Sequence, residues 1–370
     1  MRRPLAGVRV VELARILAGP WAGQLLADLG ADVIKVERPG YGDDTRGWGP
    51  PFITDAEGEL QGAAYFHACN RGKQSVSVDF TQAEGQAKVR DMVREADIVI
   101  ENFKVGSLTR YGLDHTSLLV VNPRLITCSI TGFGQTGPYA PRAGYDYIIQ
   151  AMGGAMSLTG DPEGDPQKSG VAYADIFTGM YATVAILAAL HERDLRGVGA
   201  HLDLALLDCQ VAVLANQALN YFASGTVPHR LGNGHPNLVP YQLFKTSDGE
   251  LVIAVGNDRQ FEGLCKTLGL EVLARDPRFS TNAGRVEHRT IIVSAIDSAT
   301  RGWTMHDLTA SLESIHVPCG PVNDLAGVFS DPQVISRGLA IEHAGVPGLA
   351  SPIIIDGARM IAAAGAPDLS

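Results

Sequence analysis

Asp175 is the residue in this sequence best placed for chemistry. It stands immediately before IFTGMYATVAILAAL, an apolar run that reads as a helix. Its carboxylate is therefore expected to cap that helix, accepting free N–H groups at the positive end of the dipole. A capping carboxylate stays ionised at neutral pH, well above its ordinary pKa of about 3.9. Covalent catalysis by an aspartate needs the same ionised oxygen. The two roles are compatible, and position alone leaves both open.

A second group is cationic. Arg38, Arg71, Lys73, Lys104 and Arg110 fall at or just after the ends of strand-like runs, where open α/β sheets bind ligands, so they could grip phosphates. Surface cations that merely solvate the domain would show the same spacing.

Other chemistries find little support. The glycines after the first strand, Gly19 and Gly23, lack the GxGxxG spacing of a dinucleotide fingerprint, although Glu37 ends the next strand. Gly72-Lys73 lacks the earlier glycine of a P-loop, and no GxSxG elbow occurs. The ten histidines show no HExxH or paired metal spacing, so no metal is expected. The five cysteines (Cys69, Cys128, Cys209, Cys265, Cys319) are scattered, without a CxxC pair. That argues against a disulfide framework and fits a reducing cytoplasm.

Composition bounds the rest. In 370 residues, 45% are hydrophobic, 19% are charged and 42 are glycine, which describes a folded, turn-rich chain. A net charge of −10 argues against nucleic acid as a partner, while a local basic cluster could still hold an anionic one. The amino terminus enters a strand-like run instead of an export signal. The most apolar stretch, Tyr181 to Leu190, is about half the length of a spanning helix and reads as buried, so no membrane is expected.

The elements that must position these residues alternate. Strand-like runs at 8–13, 32–37, 75–79, 98–101, 125–130 and 201–204 are separated by helical segments at 19–30, 82–95 and 176–193, with another helix at 206–222. Alternation of this kind implies a mostly parallel, helix-covered sheet. The loop SGTVPHRLGNGHPNLVP then reads as a domain boundary. Beyond it, a hairpin at 242–245 and 250–255, helices and a strand at 317–322 form a smaller α+β module.

The ordered motifs VRVVELARILAGPWAGQLLADLGADVIKVERPGYGDDTR, NRGKQSVSVDF, ADIVIENFKVGSLTRYGLD, NPRLITCSITGFGQTGPYAPRAGYDYIIQAMGG, DIFTGMYATVAILAALHER and LGNGHPN resemble the family III CoA-transferases. This CaiB/BaiF family includes formyl-CoA:oxalate CoA-transferase and the α-methylacyl-CoA racemases, and the likeness runs through nearly the whole chain. The resemblance makes Asp175 a nucleophile. It places coenzyme A, as substrate, near Arg38, near Val78 and Thr81, at Asn102, Phe103 and Lys104, at Arg110, and along Arg142, Ala143 and Tyr145. Arg71 and Lys73 receive no role. Leu17, followed by Ala18, stands where the formyl-CoA enzyme has a glutamine, so formyl or oxalate specificity is not implied. Gly232, Gly234 and His235 look like the family's glycine loop, which would cover an acyl intermediate. Arg15 and His235 are candidates for a substrate's second carboxylate.

The resemblance implies that Asp175 attacks an acyl-CoA to give an aspartyl anhydride, then an aspartyl-CoA thioester, before CoA passes to another carboxylic acid, such as succinate or mesaconate. A racemase is the enzymatic alternative. Its histidine before aspartate is here Tyr145 before Asp146, and a tyrosine of ordinary pKa near 10 is a poor base at neutral pH. A non-catalytic acyl-CoA binder is the third reading. The implied fold is a large Rossmann-like α/β domain, residues 1–222 completed by about 326–370, with a smaller α+β domain over 223–325. Two chains would interlock as rings in a homodimer. Relatives usually continue beyond GAPDLS into another helix.

Overall fold

The β-branched runs of the amino-terminal half pair as one six-stranded parallel sheet. Its strands are β1 (Arg9–Glu12), β2 (Asp32–Glu37), β3 (Lys73–Ser77), β4 (Ile98–Glu101), β5 (Ile126–Thr131) and β6 (Ala200–Ala205), in the spatial order β3-β2-β1-β4-β5-β6. Register sets Val10 beside Val33 on one side and Ile98 on the other. Alternate side chains point to opposite faces. Val10, Val33, Ile98 and Ile126 therefore enter one buried cluster, and Val11, Val36 and Val99 enter another. Burial on both faces explains why the strands read as unbroken apolar runs.

Helices α1 (Ala18–Asp28) and α4 (Tyr173–Arg196) cover the first face, while Val89 and Val93 of α2 (Ala83–Arg94) cover the second. The short helix α3 (Asp146–Met152) packs beside α4. Strand order reverses between β1 and β4, which opens a crevice beyond their carboxyl ends.

The computed structural model describes residues 3–54 and 57–370, in two units. Among these, the first holds residues 3–54, 57–156, 168–215 and 332–370; the second holds 157–167 and 216–331. Segment 157–167, expected in the large domain, thus groups with the second unit. The helix expected over 206–222 is two helices, α5 (Leu206–Ala212) and α6 (Asn216–Ser224). Ala215 lies between them at φ +46°, a left-handed conformation that a continuous helix cannot contain, and the units divide there. Another departure is a hairpin of Phe52–Thr54 with Leu60–Ala63.

Helix α4 begins three residues before the expected start and runs for 24 residues, ending at Gly197 with φ +76°. By length and composition it could cross a bilayer. It instead buries Ala174, Thr178, Ala182, Ile186 and Ala189, spaced three or four apart, in the first unit. Gly179 brings it onto α1: a Cβ added there would lie 2.7 Å from the Ala18 carbonyl oxygen.

The chain's last part returns to the first unit. Asp28 accepts from the Ala362 amide at 2.9 Å, Gly72 donates to the Gly365 carbonyl at 2.9 Å, and Ser77, on edge strand β3, donates to Ser370 Oγ at 2.8 Å.

In the second unit β7 (Tyr241–Lys245), β8 (Glu250–Ala254) and β9 (Cys319–Pro321) form an antiparallel sheet in the order β9-β8-β7. Helices α7 (Asp258–Thr267), α8 (Arg289–Thr300) and α9 (Met305–Ser314) close over Phe244, Leu251 and Ile253 with Phe261, Leu264, Ile292, Ile296, Leu308 and Leu312.

Candidate active site

A cavity of about 520 Å³ lies where the sheet topology predicts it, and first-unit residues line it. Leu13, Arg15, Ile16, Leu17 and Ala18 come from the turn after β1, and Arg38 follows β2. Val78, Asp79 and Thr81 follow β3, and Asn102, Phe103, Lys104 and Arg110 follow β4. Arg142, Ala143 and Tyr145 come from the loop before α3, and Asp175 comes from α4. Short turns after parallel strands thus bring together residues more than 150 positions apart.

Asp175 is not the cap of its helix. The N-cap position belongs to Ala172, which has no side-chain oxygen, and Asp175 lies in the first turn. The capping oxygen comes from α3: Asp146 Oδ2 accepts from the Ala174 amide at 2.8 Å and lies 3.4 Å from the Asp175 amide. Gln150 Nε2 steadies Asp146 by donating to its Oδ1 at 2.6 Å. Burial and this second carboxylate together reverse the expected electrostatics. Burial, and then the negative charge of Asp146, push the Asp175 carboxyl up to about 7. At neutral pH the partly buried group is divided between acid and carboxylate, and its ionised form is poorly solvated.

Away from Asp175, the lining is cationic and aromatic. Arg38 lies over the Tyr41 ring, 4.6 Å from guanidinium carbon to centroid, and Arg110 lies at 4.6 Å over Tyr111. Phe80 packs edge-on against both Phe103 and Tyr111. Arg38, Lys104 and Arg110 are exposed, so this part of the cavity offers aromatic faces and wet cations to an anion. Asn102 holds the wall in shape: its Oδ1 accepts from the Arg15 amide at 2.9 Å and its Nδ2 donates to the Arg15 carbonyl at 2.6 Å.

The profile of CoA-transferase family III matches residues 5–370. The chain belongs to that family. It is 56% identical over 357 residues to a succinate–glutarate CoA-transferase of Agrobacterium fabrum, covering 95% of this chain and 89% of the relative. It is 41% identical over 340 residues to human succinyl-CoA:glutarate CoA-transferase, covering 92% and 76%. A crystal structure of a CaiB/BaiF family protein from Brucella suis superposes with TM-score 0.89 at 57% identity, covering 100% of this chain and 97% of that one. The chain is accordingly an acyl-CoA:carboxylate CoA-transferase of family III, on a mixed α/β scaffold.

Two cations of the transferase that could have gripped phosphates are buried instead. Arg71 pairs with Asp28 through Nη2–Oδ2 at 2.6 Å and Nε–Oδ1 at 3.0 Å, and donates to the Leu349 carbonyl at 2.6 Å. Lys73 Nζ lies 2.9 Å from the Glu12 carboxylate and donates to the Pro20 carbonyl and to Asn70 Oδ1, both at 2.8 Å. All three Lys73 donors are thus engaged inside the fold, and each Arg71 guanidinium nitrogen donates there.

Gly232, Gly234 and His235 belong to the second unit. Gly232 has φ +57° and donates to the Gly160 carbonyl at 3.2 Å. His235 stacks on Tyr241 with centroids 5.0 Å apart, and its carbonyl accepts from Arg289 at 2.7 Å. Burial, with the Arg289 charge, lowers its imidazole from the usual value. Among the described residues, no cluster of three or more His, Cys, Asp or Glu could hold a metal ion.

Sequence reasoning missed two residues beside the nucleophile candidate. One is Asp146 in its capping role. The signal was available, because a long helix entered through Ala172 needs its cap from elsewhere. The other is Tyr65, whose phenol is pushed up to about 12 by burial and then by the Asp175 charge, with Cys69, Asp146 and Asp43 adding to it. It remains a protonated donor at physiological pH. Nothing in its local sequence, AAYFHA, marks it.

Proposed function

We propose that Asp175 carries the acyl group while CoA moves from succinyl-CoA to glutarate or a related dicarboxylic acid. An Asp175 oxygen attacks the thioester carbonyl, the C–S bond breaks, and CoA leaves as a thiolate, giving a mixed anhydride. The thiolate attacks the aspartyl carbonyl, releasing the donor carboxylate and leaving an aspartyl-CoA thioester. The acceptor carboxylate displaces the thiolate to form a second anhydride. Thiolate attack on the acceptor's carbonyl then gives the new acyl-CoA and regenerates Asp175. No net proton is exchanged, so the site needs a nucleophile and shelter from water more than a general base.

The observation carrying this reading is a partly buried, high-pKa carboxylate in a cavity also lined by five exposed cations, Arg15, Arg38, Lys104, Arg110 and Arg142. Poor solvation makes the carboxylate reactive once ionised, and the cations suit the phosphates of CoA. The names of the relatives support a dicarboxylate pair. Arg15, which lines the cavity, over Phe103 and paired with Asp44 at 2.7 Å, supplies a cation for the far carboxylate of such an acid. Racemisation is disfavoured because, among the described residues, no histidine lines the cavity.

Interlocked pairing of two chains is supported by the apolar side chains exposed along α4, among them Met180, Tyr181 and Val184. A cytoplasmic setting is supported by five free cysteines. Incubation with succinyl-CoA and hydroxylamine is expected to convert Asp175 to its hydroxamate, located by peptide mass spectrometry. Asp175→Ala is expected to abolish both trapping and transfer, and full turnover by that variant would refute the assignment.

A further inference from the structure

At the floor of the cavity, which Lys35 and Asp43 help to line, runs a chain of buried charges. Glu12, at the end of β1, lies between two lysines: Lys35 Nζ at 3.0 Å and Lys73 Nζ at 2.9 Å. Lys35 also lies 2.9 Å from Asp43 Oδ2. All four side chains are almost completely inaccessible to solvent. Burying four ions is costly unless each finds strong partners, and three of their remaining partners are backbone groups between residues 14 and 20. Lys35 donates to the Ala14 carbonyl at 3.0 Å, Lys73 to the Pro20 carbonyl at 2.8 Å, and Asp43 accepts from the Ile16 amide at 3.2 Å. The network grips the turn between β1 and α1 at Ala14 and Ile16, and the first turn of α1 at Pro20.

That turn contains a conformation the sequence would not choose unaided. Ile16 has φ +72°, a left-handed geometry that is a genuine outlier for a β-branched residue. Such a backbone persists only where its surroundings over-determine it. Asp43 is itself fixed: its Oδ1 accepts from the Thr45 amide at 3.0 Å and the Thr45 hydroxyl at 2.8 Å, and its amide donates to Glu37 Oε2 at 2.8 Å. Immediately after Ile16 come Leu17 and Ala18, which line the cavity with Asp175. The Ala18 carbonyl touches α4 at Gly179, one helical turn beyond Asp175.

We infer that Asp43 is a positioning residue for the transferase. By holding the Ile16 amide, with Lys35, Glu12 and Lys73 behind it, Asp43 sets Leu17 and Ala18 against the helix of Asp175 and so fixes where the acyl group sits. This role rests on Asp175 being the reacting group. It also explains the GDDTR segment, since Asp43 needs Thr45 two residues on to orient it.

The test is Asp43→Asn, which keeps the shape but turns an amide group towards Lys35 or Ile16. We expect kcat for succinyl-CoA:glutarate exchange to fall about 100-fold, the scale set by small misplacements of reacting groups. The dissociation constant for CoA, by titration calorimetry, should stay within about threefold because the exposed cations are untouched. Adding Ile16→Gly should recover about tenfold in kcat, since glycine adopts positive φ without penalty. A purely structural role would show no such rescue.

Hydrogen exchange of the peptide spanning residues 14–18 should quicken in Asp43→Asn and slow again in the double variant. That readout needs no turnover. It separates failure of this inference from failure of the Asp175 mechanism, which wild-type hydroxylamine trapping reports. Should Asp43→Asn not fold, Thr45→Val removes one of the bonds that orient Asp43, and a several-fold fall in kcat at unchanged CoA affinity is expected. Unaltered kcat in either folded variant, or unaltered exchange at residues 14–18, would overturn the inference.

Discussion

Arg38, Lys104 and Arg110 on one side, and Arg71 and Lys73 on the other, look alike in the sequence, since each lies at or near the end of a parallel strand. The fold sends them to opposite fates. The first three remain exposed around the cavity, two of them lying over aromatic rings. The other two are buried against Asp28 and Glu12. What separates them is a carboxylate waiting inside, 43 residues away for Arg71 and 61 for Lys73. A cation near a strand end is closed to ligand where the fold has buried it against an anion of its own.

Lys73→Met should produce the largest effect. It leaves Glu12 in the interior with only Lys35, and loss of one partner from a buried pair costs about 3–5 kcal/mol. Urea unfolding of the variant measures it, and an unchanged midpoint would erase the distinction between the two sets. Arg38→Ala and Arg110→Ala should do the reverse. Each is expected to weaken CoA binding by about tenfold, as for loss of a charged hydrogen bond, and to leave Tm nearly unchanged. The binding loss should shrink in high salt.

The same contrast has a pH form. Asp175 titrates near 7, so kcat/KM for the acyl-CoA should fall towards tenfold per pH unit below that value. CoA affinity, carried by side chains other than Asp175, should change far less. The smallest effect concerns stability. The folded state holds the Asp175 proton more tightly than the unfolded chain does. Stability from this group is therefore full below about pH 4 and is lost as pH rises through about 7. Asp175→Asn, which cannot ionise, should accordingly melt about 2–4 °C above wild type at pH 8, with the difference vanishing towards pH 4. Equal melting at both pH values would show that the carboxylate is well solvated.

The sequence was most legible where local pattern and global fold agree. Apolar runs with helices between them identified β1 to β6, because a parallel sheet buried on both faces leaves that imprint. The ordered motifs pointed to Asp175 and to the strand-end residues that share its cavity. Less legible were features depending on residues far apart. Asp175 looked like a cap because α4's true cap, Asp146, lies 29 residues upstream. Its pKa was expected to be ordinary because neither its burial nor that neighbour is visible in the local sequence. The break at Ala215 carries no glycine or proline to announce it. Ile16 looked like an ordinary apolar residue, and only coordinates reveal the backbone angle that makes Asp43 matter.

The return of residues 332–370 to the first unit has a consequence for biosynthesis. When a ribosome has made the first 331 residues, the second unit has its whole sequence, while the β3 edge still lacks the segment ending in Gly365 and Ser370. The later-made module can thus mature before the earlier one, and the nascent sheet waits with an open flank that invites chaperones or misassociation. Protease digestion of a released chain ending at residue 331 should find a resistant core in residues 216–331 and frequent cuts before them.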